Sequence, residues 1–360
     1  MQRILIPKFG EPEVLIRDTA PDPEPGPGCV RVRVDAVGVN FADVMIRMGL
    51  YPDAPDTPLT PGFEAAGEID AVGAGVDAAR IGQRVVTVMQ HGGYAEAVVA
   101  PSEFALVVPE GLDPVTAAAL PVNGLTAYQM LEVMAPPRPG EAVLVHGAAG
   151  GVGTLAVQMA RRRGAVVLGS ASPSKHAFLK ELGVETVFDS RQRRFAATVK
   201  AATGGRGADV VLEPRHGRWI HESYKAAAPA GRIVMHGFAA AADGKKGSKW
   251  AALRTVIEAP WLRVNPISLM NDNKALMGIN LGRMWAVSDR LLAWLDDVLG
   301  MAAAGDIAPV IDRVMPLEDA AAAHHRLQDR ANVGKIVLVT ERFRESGAAG
   351  RDVHEQGSGA

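Results

Sequence analysis

The sequence predicts a two-unit α/β protein: a β-rich unit, followed by a doubly wound parallel sheet with helices on both faces. Three observations carry this prediction. The first 120 residues hold strand-like runs divided by segments dense in Gly and Pro. From residue 142 onward, short apolar strands alternate with helical stretches joined by short connections. A glycine-rich turn joins the first of those strands to the first of those helices.

Composition bounds the answer first. The chain has 360 residues, 48% hydrophobic and 22% charged, which is enough apolar material for two cores. Lys plus Arg number 38 and Asp plus Glu 40, a formal net charge of −2. A general nucleic-acid binder needs clustered positive charge to displace counterions, and this balance argues against one. The single cysteine, Cys29, excludes an intramolecular disulfide and any zinc site built on several cysteines. No apolar run reaches the ~18 residues of a membrane-spanning helix. The start, MQRILIPKFG, reads as a strand rather than a secretory leader, so the expected compartment is the cytoplasm. No repeat of solenoid or propeller period is present.

The elements follow in order. Residues 30–37 alternate as VRVRVDAV, and residues 84–89 read as the short buried strand RVVTVM. A helix over residues 123–134 stops at Pro136-Pro137. The alternation then runs: strand 142–146, glycine turn, helix 154–163, strand 165–168, helix 174–182, strand 186–188, helix 195–202, strand 209–212, helix 219–228, strand 232–236. After a segment of weak periodicity, 239–273, come the strand-like ALMGINL, 275–281, and a helix over 287–304. Strands at 310–314 and 335–339 close a final βαβ-like stretch. Domain boundaries are therefore expected at 1–122 with 303–342, and 123–302, followed by a Gly-, Ser- and charge-rich tail over 343–360 that reads as disordered. The middle unit is a Rossmann domain, and the chain then returns to the first unit.

The turn itself reads VLVHGAAGGVGTLAVQMA, with Gly147, Gly150, Gly151, Val152 and Gly153 between strand and helix. Glycines let a backbone approach a pyrophosphate closely, and free N–H groups at a helix N-terminus receive its negative charge. The alternative is a tightly packed turn that binds nothing. The surrounding strand–turn–helix–strand order favours a dinucleotide. The end of the second strand decides which one. An NAD site usually carries Asp or Glu there, whereas this chain has Gly169, Ser170 and Ser172, with Lys175 close behind. A small neutral position beside a cation suits the 2′-phosphate of NADPH. The alternative is that Lys175 is an ordinary surface lysine.

With these residues in hand, the chain resembles the zinc-independent quinone oxidoreductases of the medium-chain dehydrogenase/reductase superfamily. The stretches VGVNFADVMIRMGLYP, PGFEAAGEI, GGYAEAVVAP, NGLTAYQML and the glycine turn occur in family order over residues 1–340. NPISLMNDNKALMGINLGRMW is similar to the branch containing the vesicle amine transport protein homologues. The resemblance implies a GroES-like catalytic domain, a Rossmann domain, an active cleft between them and, commonly, a homodimer. Zinc-dependent members have a cysteine where Asn40 stands and a His-Glu pair where Phe63-Glu64 stands, and their structural-zinc cysteines are absent here. Zinc needs three or four N, S or O ligands, and the scattered histidines, His324-His325 included, do not supply them. Alcohol oxidation through a metal alkoxide thereby loses its Lewis acid.

What remains is hydride transfer from NADPH to a small electrophile: a quinone, an enone or an enoyl thioester. Such an acceptor needs a positioned ring, a hydrogen-bond donor for the developing oxyanion and exclusion of water. By carry-over, Asn40 lies beside the nicotinamide, Thr126 lines its ribose, and Phe238 and Leu281 pack around the ring. Tyr51, in MGLYP, matches a family tyrosine facing the substrate and is the candidate proton donor; its alternative is turn packing beside Pro52. His91 and Tyr94 are further candidates for the cleft, although a solvated loop is the favoured place for His91. The chain departs from the family at three places. Met45 replaces a frequent aromatic, Ser190 stands where many members have a tyrosine near the adenine phosphate, and Arg215-His216-Gly217-Arg218 replaces a more apolar turn. Those cations either meet the cofactor phosphates, favour an anionic substrate or are solvated. Residues 244–264 combine Lys245, Lys246 and Lys249 with Trp250 and Trp261, which suits a lid, an oligomer contact or, less favoured, a membrane-surface patch. Two further readings stay open: an NADPH-binding protein with little turnover acting through a membrane or protein partner, and a tailoring reductase with one dedicated substrate.

Overall fold

The computed structural model describes residues 1–51, 53–237 and 266–346. The chain divides into two compact units, Met1–Pro121 with the stretch from Ile311, and Val122–Val310. The return to the first unit thus comes at Ile311 rather than at 303, because the loop after the long helix Ser288–Ala303 stays with the second unit. Phe238 and the Lys/Trp segment 244–264 lie outside the described residues, as does the tail from 347.

The first unit is built on β3 (Cys29–Val39), whose Val30, Val32 and Val34 are fully buried while Arg31 and Arg33 face outward onto Asp70. That alternation is the period of two expected of a half-buried strand. Around it the seven-stranded sheet runs β14 (Ile311–Pro316), β15 (Lys335–Val339), β3, β4 (Glu64–Val72), β5 (Arg84–Val88), β7 (Ala105–Val107), with β6 (Ala97–Pro101) also paired to β3. A separate hairpin joins β1 (Gln2–Leu5) to β2 (Ile16–Thr19). Two short helices matter for the site, α1 (Phe41–Arg47) directly after β3 and α2 (Pro114–Ala119). β15 pairs parallel with β14 and antiparallel with β3, setting Ile336 opposite Val39. The C-terminal return therefore places Lys335 beside the end of β3, across nearly 300 residues of sequence.

The second unit is a six-stranded, all-parallel sheet in the order β10 (Thr186–Asp189), β9 (Val166–Ala171), β8 (Ala142–His146), β11 (Ala208–Glu213), β12 (Ala227–His236), β13 (Ala275–Ile279). β8 to β10 step one way and β11 to β13 the other. The order reverses between β8 and β11, and ligands of such sheets gather beyond the strand ends at that switch point. The strands are apolar on both faces, Val143, Leu144, Val210, Val211 and Leu212 being fully buried, as a sheet covered by helices requires.

Four details differ from the sequence expectation. The helix after the glycine turn, α4 (Gly151–Arg162), begins three residues earlier than expected, taking the glycines into its first turn. β9 continues through Gly169 and Ser170 to Ala171, since parallel pairing to β8 and β10 outweighs the weak strand preference of those residues. The expected helix 123–134 is α3 (Pro121–Tyr128) followed by a π-helical turn, Gln129–Met134. Residues Glu341–Glu345 form a short helix with Phe343 buried, so the expected disorder does not begin at 343.

Candidate functional site

Each glycine of the turn after β8 has a distinct job. Gly147 has φ of 64°, the left-handed region that glycine enters without penalty. A Cβ on Gly153 would lie 2.3 Å from the Gly147 carbonyl oxygen and 2.7 Å from the Ala148 backbone, so only glycine lets α4 pack this closely. A Cβ on Gly151 would lie 2.1 Å from Nδ2 of Asn123, a buried residue. At Gly150, by contrast, an added Cβ would meet within 4 Å, among the described residues, only the Gly147 oxygen at 3.4 Å. The turn is closed behind and open in front. Gly150 caps α4 without a side-chain hydrogen bond, which leaves the first-turn N–H groups of Gly151, Val152 and Gly153 for an anion. These residues fit the pyrophosphate of a dinucleotide.

Beneath the turn lies a buried polar network. His146 Nδ1 meets Ser170 Oγ at 2.8 Å, and its Nε2 lies 3.5 Å from Glu213 Oε2. Glu213 also accepts from Ser223 Oγ at 2.7 Å and from the Arg215 guanidinium at 2.8 and 3.1 Å. Burial pushes His146 down to about 3, so the ring is neutral at pH 7. Burial works against the Glu213 carboxylate, but its polar partners hold it below the usual range. With His146 neutral, Arg215 is the cation that does this. Arg215 further donates to the Ser190 carbonyl at 3.1 Å and stacks over Trp219 at 4.0 Å. Its charge is spent inside the domain, neither solvated nor directed at a ligand. Ser170 is fully buried on His146, whereas Lys175 and Ser190 are half-buried at the ends of β9 and β10. Arg191 is exposed and paired with Asp189.

Elsewhere in this unit, Thr126 lies on α3 with its hydroxyl donating to the Val122 carbonyl at 2.6 Å. Leu281 starts the 3₁₀ turn Leu281–Arg283.

The first unit carries a second buried network, centred on Asn40. Lys335 Nζ donates to Asn40 Oδ1 and to Glu64 Oε1, both at 2.6 Å, and Asn40 Nδ2 donates to the same Glu64 oxygen at 2.6 Å. A Cβ on Gly38 would lie 2.2 Å from Glu64 Oε1, so this glycine makes room for the carboxylate. Asp43 accepts from the backbone N–H of Asn40 (2.8 Å) and of Gly62 (3.0 Å), and from Tyr94 OH at 3.2 Å. Burial raises Asp43 to about 7. Tyr94 OH also meets Nε2 of the buried His324 at 3.2 Å. Tyr94 therefore belongs to the core, and His91 lies exposed on its loop, the solvated place favoured for it. Tyr51 is half-buried, its ring edge-on to Phe63 at 5.8 Å and packed against the Ile6, Ile46 and Leu59 cluster.

Two family models match, one described as an alcohol dehydrogenase GroES-like domain over residues 26–110 and one as a zinc-binding dehydrogenase over 182–338. The human synaptic vesicle membrane protein VAT-1 homolog is 38% identical over 327 residues, 90% of this chain and 81% of its own length. The chain spans 65% of the zebrafish homologue's length. Among solved structures, the Escherichia coli quinone oxidoreductase complexed with NADPH superposes with a TM-score of 0.82 at 28% identity, covering 94% of this chain and 100% of that one. The CurK enoyl reductase does so at 0.80 and 29%, covering 94% and 99%. The chain belongs to the medium-chain dehydrogenase/reductase superfamily, in its quinone oxidoreductase branch.

Membership brings zinc into question, and the donor set answers it. An ammonium touches both Asn40 and Glu64, and Phe63 supplies no donor. Among the described residues no group of three or more His, Cys, Asp or Glu side chains is placed to hold a metal. These residues do not fit a zinc ion. Among the described residues, no helix is long and apolar enough to cross a membrane. Sequence reasoning missed Lys335, Asn123 and the role of Glu213. A lysine opening an otherwise apolar strand, KIVLV, is the signal that could have found the first.

Proposed function

We propose that this oxidoreductase binds NADPH and, without a metal, reduces a quinone or an α,β-unsaturated carbonyl such as an enone or enoyl thioester. The observation that carries the reading is the glycine turn, closed behind by Gly153 and open in front of Gly150 at the N-terminus of α4. Bound there, the cofactor supplies a hydride. The chain's residues do the rest. The N–H groups of residues 151–153 receive the pyrophosphate, and Lys175, beside the neutral end of β9, prefers a 2′-phosphate to a bare ribose hydroxyl. By family analogy, Thr126 and Leu281 line the nicotinamide end of that site, and Asn40 is assigned to cofactor binding. Tyr51 donates to the oxygen on which negative charge develops. The protein acts in the cytoplasm as a homodimer.

The test is a turnover screen of the purified protein with quinones, enones and enoyl thioesters against NADPH, and with simple alcohols against NADP⁺. Oxidation of NADPH by at least one conjugated acceptor, with none of the alcohols oxidised, is expected. Tight NADPH binding with no turnover across the panel would contradict the general reductase and favour a binding protein or a single dedicated substrate.

A further inference from the structure

Gly169 and Ser170 stand at the strand end where an NAD site carries its acid, and both are used inward. A Cβ on Gly169 would lie 3.0 Å from the Ala148 Cβ, so this glycine lets the turn after β8 settle against β9. Ser170 is 0% exposed and sits opposite His146 in the parallel pairing of β8 with β9. Its hydroxyl lies 2.8 Å from His146 Nδ1, and its carbonyl accepts the Ala148 N–H at 3.1 Å. His146 and Ala148 are the neighbours of Gly147, whose own carbonyl accepts the Gly150 N–H at 2.9 Å where α4 begins. One serine therefore grips the turn on both sides of its left-handed glycine.

The direction of the hydroxyl bond follows from the charge beyond the ring. His146 is neutral and has one N–H to place. Its Nε2 faces the Glu213 carboxylate at 3.5 Å, long for a hydrogen bond but near enough for the negative charge to favour a proton there. Nδ1 is then the acceptor, and Ser170 donates to it. A phosphate ligand needs a donor, and the one O–H of Ser170 is spent on the ring.

We propose that Ser170 is a positioning residue for the dinucleotide turn: it holds Gly147 and, through it, the N–H groups at the start of α4, and it does not touch the cofactor. This rests on the reading of the turn as the pyrophosphate site. NADPH and NADH carry the same pyrophosphate, so a loosened turn weakens both alike, whereas a lost 2′-phosphate contact weakens NADPH alone.

The test is a double-mutant cycle of Ser170→Ala and His146→Phe, read by thermal melts and by fluorescence titrations with NADPH and with NADH. Both variants cut the same bond, and a phenyl ring suits a place already 4.6 Å from the Phe195 ring and 6.1 Å from that of Phe188. Ser170→Ala should weaken both dinucleotides ~3–10-fold, the effect of one lost hydrogen bond, with their ratio unchanged. His146→Phe should do the same, and the double variant should lose no more than either single one. If His146→Phe folds poorly, the NADPH-to-NADH ratio in Ser170→Ala, which removes one buried oxygen, decides alone. A loss confined to NADPH would make Ser170 a phosphate ligand and overturn the proposal. A lowered melt with both affinities unchanged would make it a scaffold only and overturn the proposal equally. A wild type that binds neither dinucleotide would refute the reading of the turn itself and this proposal with it, a result distinct from unchanged variants of a wild type that binds.

Discussion

Replacing Gly150 and Gly153 by alanine, one at a time, should have opposite consequences. At Gly153 the new methyl would stand 2.3 Å from the Gly147 oxygen and 2.7 Å from the Ala148 backbone, neither of which can swing aside. Overpacking of this kind costs ~1–3 kcal/mol, or ~2–12 °C in melting temperature for a unit of this size. At Gly150 the methyl meets only an ordinary contact at 3.4 Å, and φ of −84° suits alanine, so the fold should not notice. The methyl projects into the open front of the turn, where it would hold an anion off the helix N-terminus. Losing one or two charge-assisted hydrogen bonds of ~1.5–3 kcal/mol each corresponds to at least ~10-fold in affinity. The assay is a pair of thermal melts and fluorescence titrations with NADPH. Gly150→Ala should melt like the wild type and bind NADPH weakly; Gly153→Ala should melt earlier. A Gly150→Ala protein that binds NADPH normally would refute the assignment of the turn as the pyrophosphate site.

Lys175→Glu should weaken NADPH binding by ~1.5–3 kcal/mol while leaving NADH within a few-fold, as read by parallel titrations; equal losses for both would dissociate Lys175 from the 2′-phosphate. Tyr51→Phe should lower turnover by ~10²–10³ with little change in NADPH affinity, and a loss under tenfold would move the donor role to a water. Stability should fall as pH drops from about 6.5 toward 4. Burial pushes His146 and His324 down to about 3 and His236 to about 4, so the unfolded chain binds protons there that the folded chain does not. Asp43, raised to about 7, opposes this by binding a proton in the folded state over nearly the same window. Asp35, also raised by burial, adds to this opposition. The three histidines and the carboxylates held low by their arginine partners, Asp22, Asp70 and Glu141 among them, still leave acid destabilisation as the net result, measurable by denaturant titration across pH. Asp43→Asn should steepen it.

Much of the fold was legible because its signals are local. The strand Ala142–His146 is four consecutive apolar residues and a histidine ahead of a glycine turn, and residues 336–339 are a short apolar run starting two residues after Gly334. The order of strands and helices in the second unit follows from that alternation alone. What escaped was non-local. Nothing near Asn40 in sequence announces Lys335, because the two meet only when β15 returns beside β3. Tyr94 reads like a loop tyrosine beside two glycines, yet its buried partners Asp43 and His324 draw it into the core. Arg215 reads like a ligand-binding or solvated cation, because the burial of Glu213 beside it cannot be seen in the sequence. The start of α4 was misplaced because glycine is a poor helix former in general and an acceptable one in a first turn that must let backbone approach backbone.

One isotope measurement tests metal-free hydride transfer by this protein most directly. The protein is given NADPH deuterated at C4 of the nicotinamide, each face labelled in turn, together with a simple enone. The product is then examined by mass spectrometry and NMR. Metal-free hydride transfer predicts one deuterium at the β-carbon from one face of the cofactor only, with unchanged yield after dialysis against a zinc chelator. Product without the label, or activity lost to the chelator and restored by zinc, would contradict it.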